Sequence, residues 1–173
     1  MSSLRYSLFF LDNVAESGNT EYKTVILLGV LLVILLIFSA FFSSSETAFS
    51  SVNIMRLKTF VEEKRRGAKK ALWIAEHYDR TLTTLLVGNN FVNIAASTIS
   101  VAIFAILIKN PTLSNVVSTV VMTIIVLIFG EILPKSLAKA NPEKISLKFS
   151  GILFVIQKIL WPLSIIFLNL RKI

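Results

Sequence analysis

The chain has 173 residues, 54% of them hydrophobic and 16% charged, with a net charge of +8 at pH 7 and no cysteine. A mean hydropathy of +0.75 excludes an ordinary soluble domain, because too few polar residues remain to cover a water-facing surface. The missing thiols exclude disulfides and thiolate metal sites, and the basic residues lack an accompanying aromatic stacking motif, so no nucleic-acid partner is expected.

The head of the chain lacks the basic start, short apolar core and small-residue cleavage site of a secretory signal. Its first apolar run is also too long for one, so it is expected to be retained. Runs over 24–42, 81–108 and 112–133 carry almost no charge. Each reaches the roughly 17–25 residues that a spanning helix needs, so the expected fold is an all-α integral membrane protein with three transmembrane helices. After the first run, Ile54, Leu57, Phe60 and Val61 recur at helical spacing, Arg65-Arg66-Gly67 interrupts the pattern, and Ala71 to Tyr78 resumes it. Two short interfacial helices are expected there, with Trp73 and Tyr78 at headgroup depth. A helix expected over about 143–170 contains a last apolar stretch, Ile145 to Leu170, that carries Lys148, Lys158 and Pro162. As a fourth span it would leave a lysine near mid-bilayer; as a juxtamembrane helix it would lie along the interface with its lysines snorkelling, which is the preferred reading.

Charge sets the expected sidedness. Between Ser50 and Arg80 lie eight Lys and Arg residues: Arg56, Lys58, Lys64, Arg65, Arg66, Lys69, Lys70 and Arg80. The positive-inside rule makes that loop cytoplasmic, with the N-terminus outside and the C-terminus, bearing Lys135, Lys139, Lys144 and Lys148, inside. The same charges favour anionic lipid.

Three polar features interrupt the apolar runs. The first run ends in Phe41-Phe42-Ser43-Ser44-Ser45-Glu46. Ser43 and Glu46 have the spacing of a capping box, which would break the first helix and begin a new one. A break at membrane depth is tolerated where it lines a watery cavity, so capping and ion binding are compatible readings. In the second run Asn89, Asn93 and Ser97 follow at intervals of four, hence on one helix face. Such a stripe serves either interhelical hydrogen bonding, at about 0.6 kcal/mol per pair, or a shared site with polar groups of the other helices. The third run ends in Phe129-Gly130-Glu131-Ile132-Leu133-Pro134-Lys135. A carboxylate at that depth costs at least about 2.5 kcal/mol and normally has a partner or a purpose. Lys135, four residues on, could pair with it. Pro134 is expected to disrupt the helix around Ile132 and free a carbonyl near Gly130. One carboxylate, amide oxygens, hydroxyls and carbonyls form an all-oxygen set suited to hard cations such as Mg²⁺ and Ca²⁺, and Na⁺ is not separated from them by spacing. The single His77 gives no zinc site, and without a nucleophile signature no enzyme is expected.

Phe41 to Ala48, Leu86 to Asn93 and Phe129 to Lys135, in this order and at these intervals, resemble the transmembrane domain of the CorC/CNNM (cyclin M-like) magnesium transporter family over nearly the whole chain. The resemblance implies a homodimer of three-span protomers in the cell membrane, with a juxtamembrane helix after the third span. It implies Mg²⁺ export from the cytoplasm coupled to Na⁺ entry, as in a sodium-coupled exchanger. The implied metal ligands are Ser43, Asn89, Asn93, the Gly130 carbonyl and Glu131; Ser44, Asn90 and Ser97 are further candidates. Family members normally continue into cytoplasmic CBS domains that bind ATP. No such region occurs before Ile173, as expected of an excised membrane domain or of a natural short form. The alternatives from other classes are a membrane scaffold or ion sensor acting on another transporter, and a divalent-cation channel.

Overall fold

The structure is a computed structural model that describes the backbone over residues 2–170 and the side chains over 20–159. Helices α1 (Ser2–Ser51), α2 (Ile54–Glu62), α3 (Ala68–Glu76), α4 (Tyr78–Leu107), α5 (Pro111–Ile125), α6 (Leu133–Ala140) and α7 (Pro142–Leu170) follow in order, and a π-helical segment, Val126–Ile132, joins α5 to α6. No strand occurs among the described residues. Three rods are long and apolar enough to cross a bilayer: Thr20–Ser51, Tyr78–Leu107 and Pro111–Ala140. The first and third contain the expected runs and overshoot them, because a helix does not stop where its hydrocarbon-facing part ends; the second begins before its run and ends one residue short of it, with Ile108 as the C-cap.

The expected break in the first helix is not there. α1 runs unbroken through Ser43-Ser44-Ser45-Glu46 to Ser51, and these three serines are buried. An interruption inside packed protein would orphan backbone groups, whereas small hydroxyl side chains let neighbouring rods approach an intact helix. Ser43 and Glu46 therefore do not form a helix start. The real cap is Asn53, whose side-chain oxygen accepts from the amides of Met55 at 2.9 Å and Arg56 at 3.3 Å and so begins α2. The irregularity lies in the third rod instead. Pro134 stands in the first turn of α6, and the Leu133 amide donates to the Ile128 carbonyl, five residues back. A proline without an N–H is accommodated by widening the preceding turn into a π-helix rather than by breaking the rod.

α1 is the central rod, packing against α4, the π segment, α6 and α7. It is enclosed from Ser39 to Phe49, with Phe42 seated against Gly88 of α4. Between Thr24 and Phe38 it is not: Ile26, Leu27, Val30, Val33, Ile34 and Ile37 are exposed, the pattern of a helix whose solvent is lipid. Beyond Ser51, α2 and α3 fold back beneath the rods. Leu57, Ile74, Leu85 and Leu153 meet Phe42 and Phe49 in one buried cluster. Each such side chain contributes about 1.5–3 kcal/mol relative to exposure in water. The interruption expected at Arg65-Arg66-Gly67 is the α2–α3 turn.

α7 crosses the ends of these elements. Phe149 meets Phe41 with ring centroids 4.9 Å apart, Gln157 donates to the Thr81 hydroxyl at 2.5 Å, and Phe154 meets Trp73 edge-on at 5.3 Å. Its first turn is held by Arg56, which donates to Glu143 at 2.8 Å. The backbone N–H of Glu143 itself holds that carboxyl below its ordinary value, burial opposes it, and the hydrogen bond and charge of Arg56 add to the lowering. Pro162 and the side chains beyond Ile159 lie outside the described side chains.

Gly67, at φ 83°, makes the turn into α3 and receives α7: a Cβ there would stand 2.5 Å from the Leu147 carbonyl oxygen, and its own carbonyl accepts from Ser150 at 3.1 Å. Gly67→Ala is expected to lower the thermal midpoint by more than the left-handed conformation alone accounts for, about 1–2 kcal/mol, because the Leu147 backbone must also move. Gly151→Ala, which meets open space, should leave the midpoint unchanged or raise it; equal loss in both variants would contradict this docking.

Candidate ion site

Three rods meet where α1 is enclosed. Ser39 is fully buried and its hydroxyl donates to Asn93 Oδ1 at 2.7 Å, with Asn89 Oδ1 also in reach at 3.3 Å. The four-residue spacing on α4 turns both carboxamide oxygens toward α1, as expected. A hydroxyl proton serves one acceptor at a time, so two amide oxygens converge on one donor and one of them is always under-served. The third rod closes the cluster through Gly130. A Cβ at that position would lie 2.7 Å from Ser39 Oγ and 3.5 Å from Ser39 Cβ. Only hydrogen fits there, which makes Gly130 the point of closest approach of the π segment to α1.

One turn further along the same face of α1, Ser43 is fully buried and its Oγ has no hydrogen-bond partner. An orphaned buried hydroxyl costs about 1–3 kcal/mol, which leaves the Ser43 oxygen with unused hydrogen-bonding capacity one turn from Ser39. Ser44 is committed elsewhere, donating to the Pro134 carbonyl at 3.4 Å and so tying α1 to α6.

Glu131 follows Gly130 directly and is half-buried. Its expected alternative partner is taken: Lys135 pairs with Glu46 at 3.5 Å, and Glu131 forms no ion pair among the described residues. The cause is the π segment, which changes the angular spacing that would align residues 131 and 135. Asn90 and Ser97 are exposed, and the structure does not bring them to the cluster. The buried stripe of α4 is Gly88, Val92, Ala96 and Ser100; Asn89, Asn93 and Ser97 each lie one residue, about 100°, round the helix from it, on its flank, where the two asparagines are partly covered and Ser97 is exposed.

Ser39 was not among the sequence candidates. The signal was its position four residues before Ser43, inside an apolar run where a lone serine reads as a neutral filler. No group of three or more His, Cys, Asp or Glu gathers among the described residues. The donors at this place are hydroxyl and amide oxygens, the ligand chemistry of a hard cation; Glu131 adjoins the cluster through Gly130 in sequence, and among the described residues no hydrogen bond joins its carboxylate to Ser39, Asn89 or Asn93.

Residues 30–172 match the family model of the cyclin M transmembrane N-terminal domain. The chain belongs to this family. The cyclin M domain is similar to a UPF0053 protein of Haemophilus influenzae, 40% identical over 79% of this chain and 32% of that protein. It is 35% identical to the UPF0053 inner membrane protein YfjD of Escherichia coli over 72% of this chain and 29% of that protein. A chloroplastic DUF21 domain-containing protein of Arabidopsis thaliana is 30% identical over 81% of this chain and 21% of its own length. The chain thus spans about a third of the length of the bacterial relatives it matches. A cyclin M membrane domain with three apolar rods is a multi-pass membrane protein of a transporter-type family, which suggests a non-enzyme.

Proposed function

We propose that this cyclin M domain moves Mg²⁺ across the cell membrane, exporting it from the cytoplasm in exchange for entering Na⁺. The observation that carries the reading is the convergence of Asn89 and Asn93 Oδ1 on Ser39 Oγ at the point where Gly130 brings the π segment against α1. In this reading the Ser39 hydroxyl keeps its proton and turns it away from the asparagines, so that the ion is met by its oxygen and by the two amide oxygens. Asn89 and Asn93 supply amide oxygens, Ser39 and Ser43 hydroxyl oxygens, Gly130 a carbonyl and Glu131 the charge. A site with a single formal charge gives modest affinity for an ion that surrenders its water reluctantly, as release on the far side requires.

The same reading places the basic α2–α3 region and α7 on the cytoplasmic face, with α7 as a juxtamembrane helix, and the N-terminus outside. The exposed apolar faces of the rods are covered by lipid and by a second copy in a homodimer. Cytoplasmic CBS domains are the further partner in this reading, which the greater length of the bacterial relatives supports.

Reconstitution tests it. Proteoliposomes with a trapped Mg²⁺ indicator should show saturable Mg²⁺ movement that stops when the opposing Na⁺ gradient is removed. A scaffold or sensor would show no flux, and a channel would show flux that ignores Na⁺ and does not saturate; either result would overturn the exchanger.

A further inference from the structure

The most strongly charged surface of the protein lies far from the Asn89–Asn93 cluster in its chemistry and is used by nothing described so far. Between the α2–α3 turn and the first turns of α7 is an open cavity of about 1020 Å³ lined by seven Lys and Arg side chains and no carboxylate. Two of the seven are engaged: Arg65 pairs with Glu63 at 2.6 Å and Lys70 lies over the Phe154 ring. Lys64, Arg66, Lys69, Lys144 and Lys148 have no acidic or aromatic partner among the described residues. The nearest carboxylates in sequence are already paired, Glu63 with Arg65 and Glu143 with Arg56. The first turn of α3 adds to the field, since Gly67 gives it no side-chain cap and only the Ala68 amide is taken up, by the Arg65 carbonyl at 3.2 Å. Five like charges kept close around one concavity repel one another, and a concave wall focuses their field. An anion of several oxygens relieves that repulsion.

The apolar neighbourhood decides which anion. On α7, Ile152, Val155 and Ile159 are exposed at 54–67%, and Trp73 is 37% exposed beside Phe154. α7 thus carries a basic end in the groove and an apolar strip outside it. A phospholipid is the partner that offers a phosphate to the first and hydrocarbon to the second; an acidic protein segment would have no use for the strip.

We infer that this groove binds the phosphate of an anionic phospholipid, with Lys64, Arg66, Lys69, Lys144 and Lys148 around the headgroup and the acyl chains along α7. The leaflet that supplies the lipid rests on the sidedness proposed above. The binding does not, and a test in micelles separates the failure of one from the failure of the other.

Delipidated protein in neutral detergent is examined by native mass spectrometry with phosphatidylglycerol, phosphatidylcholine, glycerol phosphate or a polyglutamate peptide added. Phosphatidylglycerol should bind about tenfold more tightly than phosphatidylcholine. Lys69→Gln/Lys144→Gln/Lys148→Gln should erase that preference, and the charge-matched Lys58→Gln/Lys109→Gln/Lys139→Gln should retain it, both with helical content unchanged by circular dichroism. Equal binding of the two lipids, or equal loss in both triple variants, would overturn the inference. So would displacement of phosphatidylglycerol by glycerol phosphate or by polyglutamate at matched concentration, which would assign the groove to a soluble phosphate or to an acidic protein segment.

Discussion

Glu131→Gln is expected to lower Mg²⁺ flux in proteoliposomes by about a hundredfold or more, at the upper end of what even an outer partner of a metal site contributes. The substitution keeps the shape of the side chain and removes the one formal charge in the three apolar runs between Thr24 and Pro134. Because Glu131 makes no ion pair among the described residues and is half-buried, neutralising it leaves no partner stranded. The thermal midpoint should therefore stay within about 0.5 kcal/mol of the parent, or rise. Loss of flux with stability retained separates an ion ligand from a structural carboxylate. Flux at the parental rate, or collapse of the fold, would place the importance of this residue in packing.

Gly130→Ala should act by the opposite route. The added methyl would sit 2.7 Å from Ser39 Oγ and 3.5 Å from Val126 Cγ1. Either the Ser39 hydroxyl turns away from Asn93, forfeiting about 0.6 kcal/mol, or α1 and the π segment separate. Overpacking of this kind costs about 1–3 kcal/mol and is the larger effect, so a lowered thermal midpoint is expected. The distinguishing readout is protection by Mg²⁺. A ligand at a hundred times its dissociation constant raises stability by about 2.7 kcal/mol, and a displaced Ser39 should cut that protection to a small fraction. Gly29→Ala, which adds the same methyl to the exposed half of α1 with nothing within 4 Å, should keep both the midpoint and the protection. Parallel behaviour of the two variants would mean that Gly130 is not the contact point it is taken to be.

How much of this is legible in the sequence follows from what each signal measures. Apolar runs of spanning length report solvent preference directly, and all three rods are where those runs predict them. The α2–α3 turn is legible because Gly67 must adopt a left-handed conformation. The capping-box spacing at Ser43 and Glu46 misleads because spacing carries no information about burial: the same residues that would start a helix in water serve as small contact residues inside a packed rod, and the start passes to Asn53. Pro134 announces a perturbation without its form. Whether the chain kinks or widens into a π-helix is decided by the contact of Gly130 with Ser39, which lies 91 positions earlier in the sequence. Asn89 and Asn93 are brought to one face by periodicity, whereas Ser97 is over-read by it, since spacing along a flank does not say where the neighbouring rod stops covering it. Ser39 is hidden because one serine in an apolar run looks inert until the asparagines that face it are known.

The central claim is that oxygens from three rods hold one ion. It is tested most directly by anomalous diffraction from crystals of the protein equilibrated with Mn²⁺, a hard, oxygen-preferring stand-in for Mg²⁺. A single anomalous peak bounded by Ser39, Asn89, Asn93 and Glu131, displaced by excess Mg²⁺, is the predicted result. No peak there at saturating Mn²⁺, with the Ser39 hydroxyl still donating to Asn93, would contradict it.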